Sequence, residues 1–147
     1  MNLAERLNED MKQALRDGKK FRLQTIRLIR AAIKNQEIEQ RRPLDDNDTI
    51  TILSRELKQR RDSLEDFERA GREDLVSNVT AEIEIISEYL PKQLNEEEVK
   101  AIVVQTIQET GASSKADMGK LMGALMPKVK GIADGKLVNG IVQQFLQ

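Results

Sequence analysis

The sequence contains no cysteine, no histidine and no tryptophan in 147 residues. Without cysteine there is no disulfide and no thiolate nucleophile. Without histidine the commonest general base and metal ligand is missing. Three phenylalanines and one tyrosine are the whole aromatic content, so base stacking on an aromatic platform is not expected. Proline occurs three times, at Pro43, Pro91 and Pro127. Apolar runs are a few residues long, far below the roughly 20 that span a bilayer. The opening stretch "MNLAERLNEDMKQ" mixes acids with bases and has no apolar signal core. These absences lead to the expectation of a cytosolic protein with no membrane partner, no metal and no cofactor.

What is present is charge of both signs and helical periodicity. Hydrophobic residues make up 39% and charged residues 33%, with a net charge of −1. Such a balance fits a folded, charge-rich helical protein. The charge is unevenly spread. Residues 19–42 carry +6 and residues 111–147 carry +3, while residues 1–110 together carry −4. Local basic surfaces attract polyanions even on a nearly neutral protein. A solvated helix face has the same composition.

Apolar residues recur at helical spacing and no segment alternates with period two. Leu3, Leu7, Met11, Ala14 and Leu15 predict a first helix, stopped by Gly18. Phe21, Ile26, Ile29 and Ile33 predict a second, ended by "RRPLDDND". Asp46 or Asp48 caps a third, with Ile50, Leu53, Leu57, Leu64 and Phe67 inward and Gly71 after it. Arg60 occupies an apolar position in that seam, where its stem can pack while its head reaches water or a carboxylate. Val76, Val79, Ile83, Ile86 and Leu90 predict a fourth helix, stopped by Pro91. Asn95 and Glu98 resemble a capping box opening a fifth, with Val99, Ile102, Val103 and Ile107 inward and Gly111 as its stop. Ser113 or Ser114 caps a sixth, and Asp134 a seventh. The expected fold is all-α, in two subdomains: residues 1–92 with four longer helices and residues 93–147 with three shorter ones.

Enzymatic motifs fail on inspection. "GIADGKL", Gly131 to Leu137, resembles a P-loop, but its glycines are one residue too close. Leu137 replaces the magnesium-binding hydroxyl, and no strand precedes it. Ser113, Ser114 and Lys115 lie in a polar linker, which suits capping better than a desolvated nucleophile. Glu82, Glu84 and Glu88 lack the histidine that a di-metal bundle site requires. No catalytic residue is expected.

The stretch "MGKLMGALMPKVKGIADGKLVNG", Met118 to Gly140, holds five of the eight glycines and three of the five methionines. Gly119 and Gly123 in a helix invite a packing reason: close approach of the seventh helix, or of a nucleic acid strand. Met118, Met122 and Met126 form a soft apolar stripe. Lys128 and Lys130 are expected in the connector, and Gly135 and Lys136 in the first turn of the next helix. Amides at a helix N-terminus attract anions. Asp134, as a cap, competes for them.

That stretch resembles the C-terminal tail of the B subunit of aspartyl/glutamyl-tRNA amidotransferase at Gly123, Met126, Lys128, Lys130-Gly131, Ala133-Asp134 and Val138-Asn139. Three upstream segments resemble the free-standing YqeY-like (GatB/YqeY) proteins. They are "TIRLIRAAIKNQEIE" (Thr25–Glu39), "ELKQRRDSLEDFERAGREDL" (Glu56–Leu75) and "EYLPKQLNEEE" (Glu88–Glu98). The resemblance covers almost the whole chain. It implies two all-α subdomains and tRNA-related work. The family label also carries a glutamine-dependent carbon–nitrogen ligase activity, but the chain lacks the parts of the amidotransferase that use ATP and transfer the amide.

The leading expectation is a non-catalytic tRNA-binding or tRNA-amidotransferase-associated protein. Phosphate contacts are assigned to Lys120, Lys128, Lys130, Gly131 and Lys136, extended by Arg27, Arg30 and Lys34 of the second helix. A protein-interaction module without nucleic acid and a component of an amide-forming ligase are the alternatives. Amidotransferase or other translation proteins are further candidate partners.

Overall fold

The computed structural model describes residues 1–146. Among these there are seven α-helices and no strand. They are α1 (Leu3–Arg16), α2 (Lys20–Gln40), α3 (Asp46–Arg69), α4 (Glu73–Ser87), α5 (Glu96–Thr110), α6 (Met118–Val129) and α7 (Gly135–Phe145), with a short 3-10 turn at Lys115–Asp117. The all-α class is therefore as expected. The chain forms two compact units, one ending at Leu90 and the other beginning at Pro91.

In the first unit α2 packs against α1, α3 and α4. Ile26, Ile29 and Ile33 form its buried stripe and share a core with Leu7, Leu53, Leu57 and Ile86. Isoleucine is not the best helix former, because its branched side chain is crowded by the preceding turn. Burial of about 1.5–3 kcal/mol per side chain outweighs that cost. The cap of α3 is Asp45, one residue before Asp46 and three before Asp48, the two expected caps. Its Oδ1 accepts from the Asp48 amide at 2.8 Å, and Asp48 Oδ2 accepts from the Asp45 amide at 3.3 Å. A hydrogen bond from Arg42, together with its charge, holds the Asp48 carboxyl below the usual carboxylate range. Asp46 instead accepts from the Leu3 amide at 3.1 Å, joining the start of α3 to the start of α1. Arg60 has a half-buried head that meets Glu56 at 2.9 Å and Glu82 at 3.2 Å.

The end of α4 is tied down by a cluster that no local pattern announces. Tyr89 is 2% exposed and donates its hydroxyl to Asp10 Oδ2 at 2.5 Å. The Arg6 guanidinium lies 4.7 Å from the ring centroid and donates to the Glu88 carbonyl at 2.9 Å. Arg22 meets Glu88 at 2.6 Å and Asp10 at 3.8 Å. Three segments distant in sequence are thus joined. Of the acids expected as a solvated face, Glu82 and Glu88 are ion-paired.

In the second unit α5 packs against both α6 and α7. Val99, Val103, Leu121, Leu125, Val138 and Val142 are completely buried between them. The Asn95–Glu98 capping box forms as expected, with bonds of 2.9 and 3.2 Å. Gly111 ends α5 at φ +71°, a left-handed conformation that glycine adopts without strain. Ser114, expected as a cap of the sixth helix, caps the 3-10 turn before it, and Asp117 precedes α6 and accepts from the Ser113 and Ser114 amides at 2.9 and 3.3 Å. Those amides hold the Asp117 carboxyl below the usual range.

Burial, then the Asp10 hydrogen bond, push the Tyr89 phenol well above its ordinary value. The raised value means that the fold favours the neutral phenol. Its stabilising contribution is complete below about pH 10 and is lost as pH rises through the folded value. Tyr89 is the sole tyrosine, so phenolate absorbance reports it directly. Native protein should ionise well above pH 10 and denatured protein near it. A native midpoint near 10 would contradict the buried cluster.

Candidate anion-binding surfaces

The turn before α7 was the first candidate, and the structure redistributes its lysines. Pro127 lies inside α6, which continues to Val129. Proline removes one helical hydrogen bond, but this close to the end the helix survives it. Lys128 therefore sits in the last turn of α6, not in the connector as expected. Its Nζ donates to Thr106 Oγ1 at 3.0 Å and meets Glu109 at 2.7 Å. It braces α6 against α5, so its charge is already answered.

The other members are dispersed in role. Gly131 adopts φ +79°, and its carbonyl accepts from Gln93 Nε2 at 2.8 Å. The Leu94 amide donates to the neighbouring Ile132 carbonyl at 2.7 Å. The turn is thus stitched to the segment before α5. Asp134 caps α7 and accepts from the Lys136 amide at 3.2 Å, so it occupies one amide that an anion would need. Lys136 is exposed in the first turn of α7 and Lys120 is exposed on α6, where its charge helps hold Asp117 ionised. Lys130, exposed at the C-cap of α6, forms no ion pair among the described residues.

The glycine pair is not a packing device. A Cβ built on Gly119 or Gly123 meets nothing within 4 Å. Both lie on the exposed face of α6, opposite buried Leu121 and Leu125. The expected close approach of α7 is corrected: the core-facing positions are filled by leucine and valine, which hold the backbones apart. The methionine stripe is split, with Met118 and Met122 packed on the core and Met126 41% exposed.

The second candidate is better formed. Arg27, Arg30 and Lys34 line an open groove of about 470 Å³ between α1 and α2. Each cation directly follows a buried isoleucine in sequence: Ile26-Arg27, Ile29-Arg30 and Ile33-Lys34. One residue is about 100° around a helix, so all three emerge along one edge of the core. Arg30 is half-buried and reaches α1, its Nη1 lying 2.8 Å from Met11 Sδ. Among the described residues, Arg27 and Lys34 have no hydrogen-bond or ion-pair partner in their side chains. Leu7 and Ile33 form an aliphatic floor, and among the described residues Glu37 is the one acid on the lining. The spacing of the three cations was legible in the sequence; the concavity was not.

Among the described residues no group of three or more acidic side chains is arranged to hold a metal ion. No helix among them is long and apolar enough to cross a membrane.

Comparison with known proteins gives consistent matches. A family model described as Yqey-like protein matches residues 4–146. Among curated relatives, a protein named "Altered inheritance of mitochondria protein 41, mitochondrial" occurs in several fungi. The protein from Pyrenophora tritici-repentis is 30% identical over 96% of this chain and 79% of its own length. That from Eremothecium gossypii is 34% identical over 84% and 65%. That from Kluyveromyces lactis is 31% identical over 95% and 80%. The expectation of a cytosolic protein is corrected by these relatives, whose names assign them to mitochondria. It rested on the absence of an apolar signal core, which bears on secretion and membrane insertion but not on other routes of targeting.

The open space around the helical glycines has a measurable consequence. Gly119→Ala and Gly123→Ala should each stabilise the protein by about 0.5–1 kcal/mol, because alanine loses less chain entropy in a helix. Gly111→Ala should destabilise it, because alanine is strained at that positive φ. Thermal melts of the three variants decide the matter. Destabilisation by the first two would restore the packing explanation.

Proposed function

We propose a function from one premise: the chain belongs to the YqeY-like protein family. The proposed function is non-catalytic binding of tRNA, alone or in association with a tRNA amidotransferase, through contacts to the phosphate backbone. The observation that carries this reading is the edge of α2, where Arg27 and Lys34 stand without acidic partners beside Arg30. Cations that are not consumed internally are the ones able to release counterions on meeting a polyanion. Lys130 adds a second exposed charge on the other unit, next to the turn whose residues resemble the amidotransferase tail. Lys128 drops out as a direct contact, because Glu109 and Thr106 already hold it.

The reading predicts shape and charge recognition rather than base reading. Helical basic edges without aromatics suit backbone contacts, which position a nucleic acid without specifying sequence. The absence of histidine and cysteine noted above supports a binding role over an autonomous ligase reaction.

Titration of bulk tRNA into the protein across a salt series tests it. Affinity should fall steeply as salt rises. Arg27→Glu with Lys34→Glu should weaken binding and reduce the magnitude of the log–log salt slope by about 2, or about 1 per lost phosphate contact. Absence of salt-dependent binding by the wild-type protein would reject the function outright.

A further inference from the structure

The α1–α2 groove has properties that a simple backbone track does not require. Its charge is concentrated: two arginines and a lysine face one carboxylate, Glu37. The surplus of two positive charges matches a phosphomonoester, which carries about −1.5 to −2 near neutral pH. A single carboxylate would leave part of that surplus unanswered. The donors suit the same ligand, since arginine forks grip phosphate oxygens in pairs and lysine adds a point charge.

The groove is also prepared for a ligand. Arg30 is positioned by its contact with Met11 Sδ, and a thioether is only a weak acceptor. The guanidinium is therefore located without being neutralised. The volume of about 470 Å³ lies within the range of small-molecule sites, about 300–1,000 Å³. Its floor is aliphatic, from buried Leu7 and Ile33, with Ala4 and Ala31 alongside. Among the described residues no aromatic side chain lines it, so the ligand's body is held by shape and apolar contact rather than by stacking.

We propose that this groove is a binding site for a small phosphomonoester, with its phosphate held by Arg27, Arg30 and Lys34 and its sugar or aliphatic body on the Leu7–Ile33 floor. The proposal uses the same three side chains as the tRNA reading but does not require it, because a free phosphorylated metabolite and the phosphorylated end of an RNA strand present the same chemistry.

Calorimetric titration of the full chain with AMP, ribose 5-phosphate and adenosine tests it. AMP and ribose 5-phosphate should bind and adenosine should not. The Arg27→Gln/Lys34→Gln variant, altered at exposed positions, should weaken AMP binding at least about tenfold, the loss expected for charge-assisted bonds. Lys92→Gln, at an exposed position outside the groove, should leave AMP binding unchanged. Equal binding of AMP and adenosine, or AMP binding indifferent to the double substitution, would overturn the site. Matched short RNAs with and without a 5′ phosphate then identify the source. Preference for the phosphorylated strand points to an RNA end, and equal affinity with AMP binding retained points to a free metabolite. Loss of tRNA binding with AMP binding intact would reject the proposed function and keep the groove.

Discussion

The first unit depends on the burial of one isoleucine stripe along α2. Ile26, Ile29 and Ile33 must face α1, α3 and α4 together, which fixes the rotation of α2 about its own axis. Once that rotation is fixed, the next residue after each isoleucine has no freedom to choose its side. Arg27, Arg30 and Lys34 are carried to the same edge and emerge where α1 passes. The charge of the groove is thus a geometrical by-product of how the core is packed. Any change that rolled α2 by even part of a turn would scatter it.

Most of the helical plan was legible because its determinants are local. The Asn95–Glu98 box, the Asp134 cap and the Gly111 stop are chemistry between near neighbours, and each forms as the residues suggest. Most of the buried stripes follow from spacing, but Leu15 and Phe21, counted in the first two, are exposed. The cap of α3 differed by one residue, since Asp45, Asp46 and Asp48 are all competent and only the three-dimensional position of Leu3 engages Asp46 elsewhere. The Tyr89 cluster was not legible. Its partners lie 79 and 66 residues apart in pairs, and no periodicity links them.

The candidate sites show the same division. Basic residues near glycine in the C-terminal stretch read as phosphate contacts, yet the fold turns Lys128 inward to Thr106 and Glu109, and Asp134 takes a helix-start amide as its sequence position suggests. Sequence counts charges; it does not say which are already neutralised by the chain itself. The reverse holds for α2, whose cations look like an ordinary solvated face until α1 supplies the second wall. Gly119 and Gly123 carry a related lesson. A motif defined by small residues has packing meaning on a buried face, and here the face is exposed.

The absence of histidine and cysteine has a consequence for the groove that goes beyond excluded chemistry. No side-chain type in the chain ordinarily changes charge near neutrality. A phosphomonoester is not constant there, since its second proton leaves at about pH 6. Near neutrality, the acidity dependence of holding such a ligand would come from the ligand rather than from the protein's side chains, which makes the protein a fixed socket and its guest the variable part.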